Sequence, residues 1–412
     1  MPKISKILLL AVSVVLVVTI FLGVNSSGVS AATEPQDGAY RQINVYSEVL
    51  RHIQTDYVEE PNITAVTNGA LRGLAESLDA DSSYLSPDDY KAYKADKGGK
   101  AQVGINVSKR YGYATVVSVV PGSPADKANL TDGDIIEAIG TQDTRDISLA
   151  IIQLLLAGQP GSEISISVVR PGKAAPDKIS MTRVATPLAP VAETMYENSS
   201  ILYLKPGVLD HDHVQQIETK LKGMQKAGNK KILLDLRDVA AGDMAEATRL
   251  ANFLLKSGTI ATLEGQKVQK QTFVAEPSKA INSTAPVVVL VNRGTAGPAE
   301  LVAAALLENK RAELVGEKTF GEGAQQKTFE LPDGAALILS IAKYESPSGK
   351  KLQDEGVTPG MLVASNNDDN AGGDDGETAT AQGQQSQVAR KPSVSVDEQL
   401  SKALDLLKSK AA

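Results

Sequence analysis

Residues 287–300 read VVVLVNRGTAGPAE, a run of five apolar residues followed by a polar turn and then by Pro298. Four of the five are valine, a β-branched residue typical of a strand that is buried on both faces of a sheet. Proline is favoured at the first position of a helix, so the stretch Pro298–Lys310, rich in alanine and leucine, is predicted to be helical. The segment therefore predicts a strand–turn–helix unit, which is the repeating element of a layered α/β core.

The alternation of strand and helix continues on both sides of this unit. Short apolar runs predict strands at Lys231–Leu236 and Ala312–Gly316, and a helical pattern covers Asp243–Lys256. The turn residues Pro332–Gly334 predict a hairpin near the end of the region. We therefore predict an α/β core over residues 187–362.

Two smaller units precede the core in the sequence. Residues 40–98 contain two stretches with apolar residues at helical spacing, Tyr46–Tyr57 and Val66–Leu78, and are predicted to form a helical domain. Residues 100–185 contain many short strand patterns and two helices. The turn Pro121–Ala125 opens a short helix, and Ser148–Ala157 is a second helix for which Ser148 is a suitable N-cap. This second unit is predicted to be compact and rich in strands.

The first 32 residues have the composition of a targeting segment. Lys3 and Lys6 precede an uncharged apolar run, Ile7–Val24, and small residues follow at Val29–Ala32. This order predicts a secretory signal peptide over residues 1–32. The run of 18 residues is also near the lower limit for a spanning helix, so an uncleaved membrane anchor is the alternative. Both interpretations predict an extracytoplasmic protein, periplasmic or secreted, and membrane-anchored if the signal is uncleaved.

The C-terminal part is predicted to be a linker followed by one helix. Residues 366–395 are rich in Asn, Asp, Gly, Gln, Ser and Thr, and they cannot bury much apolar surface. They are therefore predicted to be disordered. Residues 396–410 are predicted to form an amphipathic helix with Leu400, Leu404 and Leu407 on one face.

Charge and composition exclude several classes of function. The formal net charge is -7 and the basic residues do not cluster, so nucleic acid is not an expected partner. The chain has no cysteine, which excludes disulfides, thiolate zinc sites and a cysteine nucleophile. His211 and His213 lie close together, but no third ligand is suggested nearby, and a polar helix start is the preferred interpretation. We predict neither a metal nor a cofactor.

Seven segments of the chain resemble motifs of the C-terminal processing peptidases, the tail-specific proteases of the S41 peptidase family, and they follow one another in the same order as those motifs. The resemblance covers roughly residues 41–362, and the order and spacing of the motifs make it specific. It implies a multidomain α+β fold with an N-terminal helical region, a PDZ domain and an α/β core related to ClpP and crotonase. The segments are Leu78–Leu85, the PDZ-like stretch 103–184, Asp235–Arg237, Val291–Ala296, Gly316–Gly321, Ser346–Lys350 and Gly356–Pro359.

The PDZ-like stretch has the features of a groove for peptide C-termini. The loop Val103, Gly104, Ile105 could direct backbone N–H groups toward a peptide carboxylate, and the strand that follows could accept the peptide along its edge. The helix over Ser148–Ala157 would form the other wall. Its residues Leu149, Ile152 and Leu156 are candidates for the pocket lining, and the alternative is that they are plain core residues. The predicted partners are peptide or protein C-terminal tails.

The resemblance implies a serine nucleophile and a lysine general base, because a serine hydroxyl is nearly inert unless a nearby base accepts its proton. The family pattern Gly-Ser/Thr-Ala-Ser-Ala-Ser-Glu aligns with residues 294–300, which puts Gly297 at the nucleophile position. The pattern Gly-Glu-x-Thr-Phe-Gly-Lys-Gly aligns with residues 316–323, which puts Glu322 at the lysine position. Gln326 matches the glutamine that follows four residues later. We expect Gly297 at a strand-to-helix turn with Glu322 close to it.

These departures predict an inactive protein. Gly297 has no side chain that could attack, and Glu322 has the opposite charge to the lysine. Pro298 has no N–H, so a donor that the family uses to hold the oxyanion is missing as well. The loop Val239–Gly242 also differs from the family's Asn-Pro-Gly-Gly.

Three alternatives stay open at the level of sequence. Thr295 and Lys318 could form a substitute dyad that supports residual activity. The chain could be an active serine-type endopeptidase that cleaves near substrate C-termini, as family membership alone implies. It could also form a hetero-oligomer with an active protease relative, or a homo-oligomer, and supply the PDZ domain.

Overall fold

The computed structural model describes residues 36–95, 101–110, 112–170, 175–185, 189–365 and 397–410. The predicted signal peptide over 1–32 and the predicted linker over 366–395 lie outside these ranges. Across the described ranges, no helix combines the length and the apolar character that crossing a membrane requires. The chain divides into two compact units between Thr67 and Asn68.

The first unit is described from helix α1, Gln36–Asp56, into the start of helix α2, Ile63–Glu76. An ion pair of 2.6 Å between Arg51 and Glu48 lies on the surface of α1. The side chain of Ile43 in the same helix is 55% exposed. Helix α2 runs past the division into the second unit.

After the end of α2, the second unit continues with a short strand, β1 (Ser83–Leu85), and a helix, α3 (Pro87–Ala95). Strand β1 pairs antiparallel with the core strand Ala336–Glu345. The sequence predicts a helical domain over 40–98, so this strand is a difference between prediction and structure. A strand of three residues is too short to show a period of two, which explains why the pattern did not reveal it.

An antiparallel sheet and two helices make up the PDZ-like region. The strand order is β2-β3-β4-β6-β7, with β5 paired to β4, so β2 lies at an edge of the sheet. The elements are β2 (Ile105–Arg110), β3 (Tyr113–Val119), α4 (Pro124–Lys127), β4 (Ile135–Ile139), β5 (Gln142–Asp143), α5 (Leu149–Leu156), β6 (Glu163–Val169) and β7 (Asp177–Thr182).

Helix α5 is buried on two sides and fixes the PDZ-like region to the rest of the second unit. Leu149, Ile152 and Leu156 pack into the core of the PDZ-like sheet. Ala150 and Ile151 pack on the opposite side in a cluster that includes residues of β1 and α3. Because both sides are apolar, the helix stabilises the contact between the two layers.

In the part of the chain that the structure describes, the core contains two sheets and four α-helices. The elements are β8 (Ala192–Tyr196), β9 (Ile201–Lys205), α6 (His211–Ala227), β10 (Lys231–Asp235), α7 (Met244–Leu254), β11 (Thr259–Glu264), β12 (Gln271–Val274), β13 (Val287–Val291), α8 (Pro298–Glu308), β14 (Ala312–Gly316), β15 (Ala324–Glu330), β16 (Ala336–Glu345), β17 (Met361–Leu362) and α9 (Glu398–Ser409). The main sheet has the order β17-β14-β13-β10-β9-β8 and is parallel except for β8. The second sheet has the order β1-β16-β11-β12, with β15 paired to β16.

The main sheet is covered on both faces, as the run of valines predicts. Val287, Val289 and Val291 of β13 belong to the large cluster that also contains residues of α6, α7 and α8. Val288 and Leu290 point to the other face and pack with residues of α9. Because β13 and β14 are parallel neighbours, their carboxyl ends lie side by side at one edge of this sheet, where the loops that follow them meet.

Candidate active site and peptide groove

Gly297 lies at the tip of the turn between β13 and α8, with the dihedral angles φ 55° and ψ -117°. Side chains rarely tolerate such a positive φ, whereas glycine adopts it without strain. The amide of Ala296 donates to the carbonyl of Val239 at 3.0 Å, which holds the turn against the core. A sharp strand-to-helix turn of this kind is how several hydrolases present a nucleophile, and here its tip carries no side chain.

Glu322 lies in the loop that follows β14. Strands β13 and β14 are parallel neighbours, with Val291 opposite Gly316, so the two loops leave the sheet at the same edge. A Cβ atom built on Gly297 would lie 3.8 Å from Oε2 of Glu322. The sequence-based expectation that Gly297 and Glu322 lie close together at a strand-to-helix turn is confirmed.

A third residue, Glu300, joins the two loops. Its carboxylate accepts hydrogen bonds from the amides of Gly297, Gly321 and Glu322 at 3.0, 2.8 and 2.7 Å, and from the hydroxyl of Thr319. The side chain is fully buried, so these partners replace all of its hydration. Sequence reasoning missed this role. The available signal was the position of Glu300 three residues after the turn, which is the spacing of a capping box.

Three carboxyl groups influence one another at this edge of the sheet. The pKa of Glu322 is raised to about 8, chiefly by burial and in addition by the nearby charges of Asp81 and Glu300. Burial also raises the pKa of Glu300 to about 7, although its four hydrogen bonds oppose the shift. The pKa of Asp81 is raised to about 6 by burial and by the charge of Asp79. Sequence reasoning did not identify Asp81 as a neighbour of the site.

The alternative dyad receives no support from the geometry. The hydroxyl of Thr295 is buried, donates to the carbonyl of Leu236 at 2.8 Å and accepts from the amide of Asn292 at 3.0 Å. Lys318 is exposed, and no hydrogen bond joins it to Thr295. Thr295 therefore stabilises the turn, and its hydroxyl is not directed toward a base.

The backbone donors at the turn are already engaged or missing. The amide of Gly297 donates to Glu300, and Pro298 has no N–H to offer. The loop Val239–Gly242 passes in front of the turn, with Gly242 at φ 139° and packed against the carbonyl of Leu209. The turn itself therefore offers no free N–H to a developing oxyanion.

A cleft of about 480 Å³ separates the PDZ-like region from this edge of the core. Its lining includes Ile105 and Leu156 on the PDZ-like side and Gly297, Pro298 and Glu322 on the core side. A smaller pocket of about 120 Å³ also reaches Glu322 and is lined in addition by Asp81, Leu149 and Gln326. Glu322 thus borders both cavities.

The predicted groove residues differ in their positions. Ile105 lies on the edge strand β2 and lines the cleft together with Leu156, while Leu149 lines the smaller pocket. Ile152 is fully buried in the PDZ-like core, as the alternative of a plain core residue describes. Val103 is also almost fully buried.

Gly104 has a conformation and a contact that only glycine allows. Its φ is 84°, and a Cβ there would lie 2.2 Å from the Cβ of Ser123. The hydroxyl of Ser123 caps helix α4, since it accepts from the amide of Asp126. The loop at Gly104 is therefore held directly against the start of that helix.

The two histidines singled out in the sequence have protein partners. Nδ1 of His213 pairs with Asp210 at 2.6 Å, and its Nε2 pairs with the carbonyl of Ala189 at 3.0 Å. His211 pairs with Glu246 at 3.0 Å. Within the described ranges, no group of three or more His, Asp or Glu residues has the arrangement of a metal site.

Comparisons with known proteins agree with this architecture. Residues 200–363 match the family model described as Peptidase family S41, and residues 115–170 match the PDZ domain model. A carboxyl-terminal-processing protease of Synechocystis sp. is 30% identical over 372 residues, which cover 86% of this chain and 86% of that protein. The chain belongs to the S41 peptidase family. It is homologous to the C-terminal processing proteases, and its β-rich region is a PDZ domain.

Two further comparisons support the S41 assignment. A carboxyl-terminal-processing protease of Picosynechococcus sp. is 34% identical over 286 residues, which cover 68% of each protein. The solved structure of a photosystem II D1 C-terminal processing protease superimposes with a TM-score of 0.66 at 24% identity, covering 78% of this chain and 92% of that one. The second comparison shows that the two chains share a fold.

Within this S41 fold, the structure brings four of the sequence-predicted positions to one edge of the core. Gly297, Pro298 and Glu322 line the main cleft, and Gln326 lies beside Glu322 in the smaller pocket. The side-chain amide of Gln326 donates to the carbonyl of Asp81 at 2.7 Å. These residues can bind a ligand through hydrogen bonds, but the set of four contains neither a hydroxyl nor an amine.

Proposed function

We propose that this S41-family chain is a catalytically inactive, extracytoplasmic protein that binds peptide or protein C-terminal tails through its PDZ domain. The observation that carries the proposal is the pairing of Gly297 with Glu322 at the turn where a nucleophile and a base are required. Acyl transfer to a side chain needs a hydroxyl or thiol and a group that accepts its proton. Gly297 supplies no hydroxyl or thiol, and Glu322, whose pKa is raised to about 8, is largely protonated at neutral pH and accepts a proton poorly.

The preserved fold around the altered site supports a binding role. Glu300 still ties the two loops together, so the site keeps its shape although the reacting groups differ. The cleft in front of it is open to the edge strand β2 of the PDZ domain. An extended peptide can add to such an edge by main-chain hydrogen bonding, with its carboxylate at the loop that contains Gly104.

The location outside the cytoplasm rests on the N-terminal sequence. Lys3 and Lys6 followed by the apolar run Ile7–Val24 support export through a secretory signal, with an uncleaved anchor as the alternative. In either form, the PDZ domain and the core would face the extracytoplasmic space. There the chain would act as an adaptor or as a regulatory partner of active proteases.

The rival function is that of a working serine-type endopeptidase, which the names of the relatives favour. Both functions predict binding of tails, and only the rival predicts cleavage. The deciding experiment incubates the purified chain lacking residues 1–32 with an unstructured protein that ends in an apolar tail. We expect binding of the tail without any cleavage product. Turnover above background by the unmodified chain would overturn the proposal.

A further inference from the structure

A single point beside Gly297 is approached by two hydrogen-bond acceptors. This point is the place where a Cβ would be attached to Gly297. The carbonyl oxygen of Ala240 lies 3.7 Å from it, and Oε2 of Glu322 lies 3.8 Å from it. The next nearest atom is the carboxyl carbon of Glu322 at 3.9 Å. A site that processes peptides needs donors near this point, whereas the nearest atoms from other parts of the chain belong to acceptors.

Both acceptors are available to a ligand. Among the residues that the structure describes, the Glu322 carboxyl has no hydrogen-bond or ion-pair partner, and the carbonyl of Ala240 has none. Glu322 is partly buried and lines the cleft, so a ligand that enters the cleft can reach its carboxyl. An acceptor in such a place stabilises a donor that arrives with the ligand.

The ionisable groups named around this point are all carboxyls, so any charge that they carry is negative. The carboxyls of Asp81 and Glu300 lie close enough to Glu322 to oppose its ionisation. The N-terminus of α8 would ordinarily favour an anion, but Glu300 already occupies it by accepting the amide of Gly297. The carboxyls and the free carbonyl therefore favour a cationic ligand with several N–H donors.

We propose that the space in front of Gly297, between Oε2 of Glu322 and the carbonyl oxygen of Ala240, binds the ammonium group of a lysine side chain carried by a peptide whose C-terminus occupies the PDZ groove. This inference rests on the proposed function and specifies its ligand. The ammonium would donate to Oε2 of Glu322 and to the carbonyl of Ala240. Its aliphatic stem would pass along the apolar residues Met244 and Pro298, which line the same cleft.

The absence of a side chain at Gly297 is part of this site. Any larger residue would place its Cβ at the position that the two acceptors approach. The same cleft is lined by Ile105 and Val107 of the edge strand β2, so a peptide added to β2 has its upstream residues beside the core wall. Side chains of an extended peptide alternate, so lysine at alternate positions would point toward Glu322.

The test uses peptides with a free apolar C-terminus and one lysine, placed in turn at each upstream position, against the chain lacking residues 1–32. The matched peptide has norleucine at the same position, which keeps the stem and removes the ammonium. We expect at least one position at which lysine binds about tenfold more tightly than norleucine, as hydrogen bonds to charged groups commonly provide. The titrations are made at pH 9, where Glu322 is ionised and the lysine ammonium still carries its charge. There Glu322→Gln should abolish that advantage, because the amide keeps the shape and loses the charge.

A matched control separates this site from general attraction to an acidic protein. Glu264 is an exposed carboxylate on β11, so Glu264→Gln removes the same charge away from the cleft and should leave the lysine advantage intact. A lysine advantage that survives Glu322→Gln would overturn the inference. Equal affinity of lysine and norleucine peptides at every position would also overturn it, while leaving tail binding in place. Binding of neither peptide would overturn the proposed function together with this inference.

Discussion

Oε2 of Glu322 lies 3.8 Å from the position that a Cβ on Gly297 would occupy, although the two residues belong to different loops. The pairing follows from the parallel neighbours β13 and β14, whose carboxyl ends meet at one sheet edge. Glu300 then fixes the distance, since its single carboxylate accepts the amides of both residues. The positions of the two residues are therefore set by the strand pairing and by Glu300, since Gly297 has no side chain that could contact Glu322.

Replacing Glu300 should destabilise the protein strongly. Glu300→Ala would leave the buried amides of Gly297, Gly321 and Glu322 without their acceptor, at a cost of about 1–3 kcal/mol for each unsatisfied group. We expect a loss of at least about 3 kcal/mol in the free energy of unfolding, measured by urea denaturation. Glu300→Gln keeps one acceptor oxygen and should lose less. An alanine variant within about 0.5 kcal/mol of the unmodified chain would show that water replaces the carboxylate.

The sequence predicted the parts of the site that local signals encode. The valine run and Pro298 predict the strand and the helix on either side of Gly297. The spacing of two motifs identifies Glu322 as its neighbour. The roles of Glu300 and Asp81 could not be predicted in this way, because they arise from contacts between distant residues. Gln326, for example, bonds the carbonyl of Asp81 across 245 positions of the chain.

The elements that the sequence did not predict are those with weak local patterns. Strands β11 and β12 form a hairpin in the second sheet, and the residues of β12 are largely exposed, so they show no alternation of apolar and polar positions. The sequence also did not predict which face of helix α5 packs against which layer. Its eight residues are apolar except Gln153, so its sequence cannot show that Ala150 and Ile151 pack against a different layer from Ile152.

Gly104→Ala should weaken the binding of peptides with a free C-terminus. An alanine Cβ at φ 84° would lie 2.2 Å from the Cβ of Ser123, so the loop must move away from helix α4. We expect affinity to fall by at least about tenfold, equivalent to about 1.4 kcal/mol, in a calorimetric titration. Amidating the peptide should weaken its binding to the unmodified chain and have little further effect on the variant.

Gly133→Ala is the matched control for that experiment. Gly133 lies in the same domain at φ 83°, but no atom lies within 4 Å of its added Cβ. It should share the conformational destabilisation of about 1 kcal/mol without the displacement of the loop. Equal loss of affinity in both variants would argue that the effect is general, and equal affinity for acid and amide peptides would argue against a carboxylate site at Gly104.

The carboxyl of Glu322 should make stability fall as the pH rises. Its pKa is raised from 4.5 to about 8 in the folded chain by burial and by Asp81 and Glu300. Between these values the unfolded chain has lost the proton and the folded chain still holds it, so each increase in pH favours unfolding. Above pH 8 both states are ionised and the effect levels off. We expect a loss on the order of 1–3 kcal/mol over this window, since the carboxyl borders the open cleft and is partly screened.

Glu322→Gln isolates this contribution, because the amide does not titrate. Its unfolding free energy should decline less between pH 5 and pH 8 than that of the unmodified chain, and the two should differ most near pH 8. Asp81 and Glu300 titrate in an overlapping range, so the comparison is made between the two profiles and not from one alone. Identical pH profiles would show that Glu322 keeps an ordinary pKa in the folded protein.

Catalysis should return only when several groups are restored together. Gly297→Ser alone would place a hydroxyl beside a carboxyl that is largely protonated at neutral pH and accepts a proton poorly. Glu322→Lys alone would have no hydroxyl to activate. Nucleophile and base act as a unit, so single changes should give no cleavage above background.

The double variant, Gly297→Ser with Glu322→Lys, is the first in which we expect cleavage of an unstructured protein with an apolar tail. Adding Pro298→Ala supplies an N–H beside the nucleophile and should raise the rate by about 10²–10³. The measurement is the rate of product formation by the four variants and the unmodified chain at equal concentration. Turnover by the unmodified chain that disappears in Thr295→Ala or Lys318→Ala would instead establish the alternative dyad and contradict the inactive assignment.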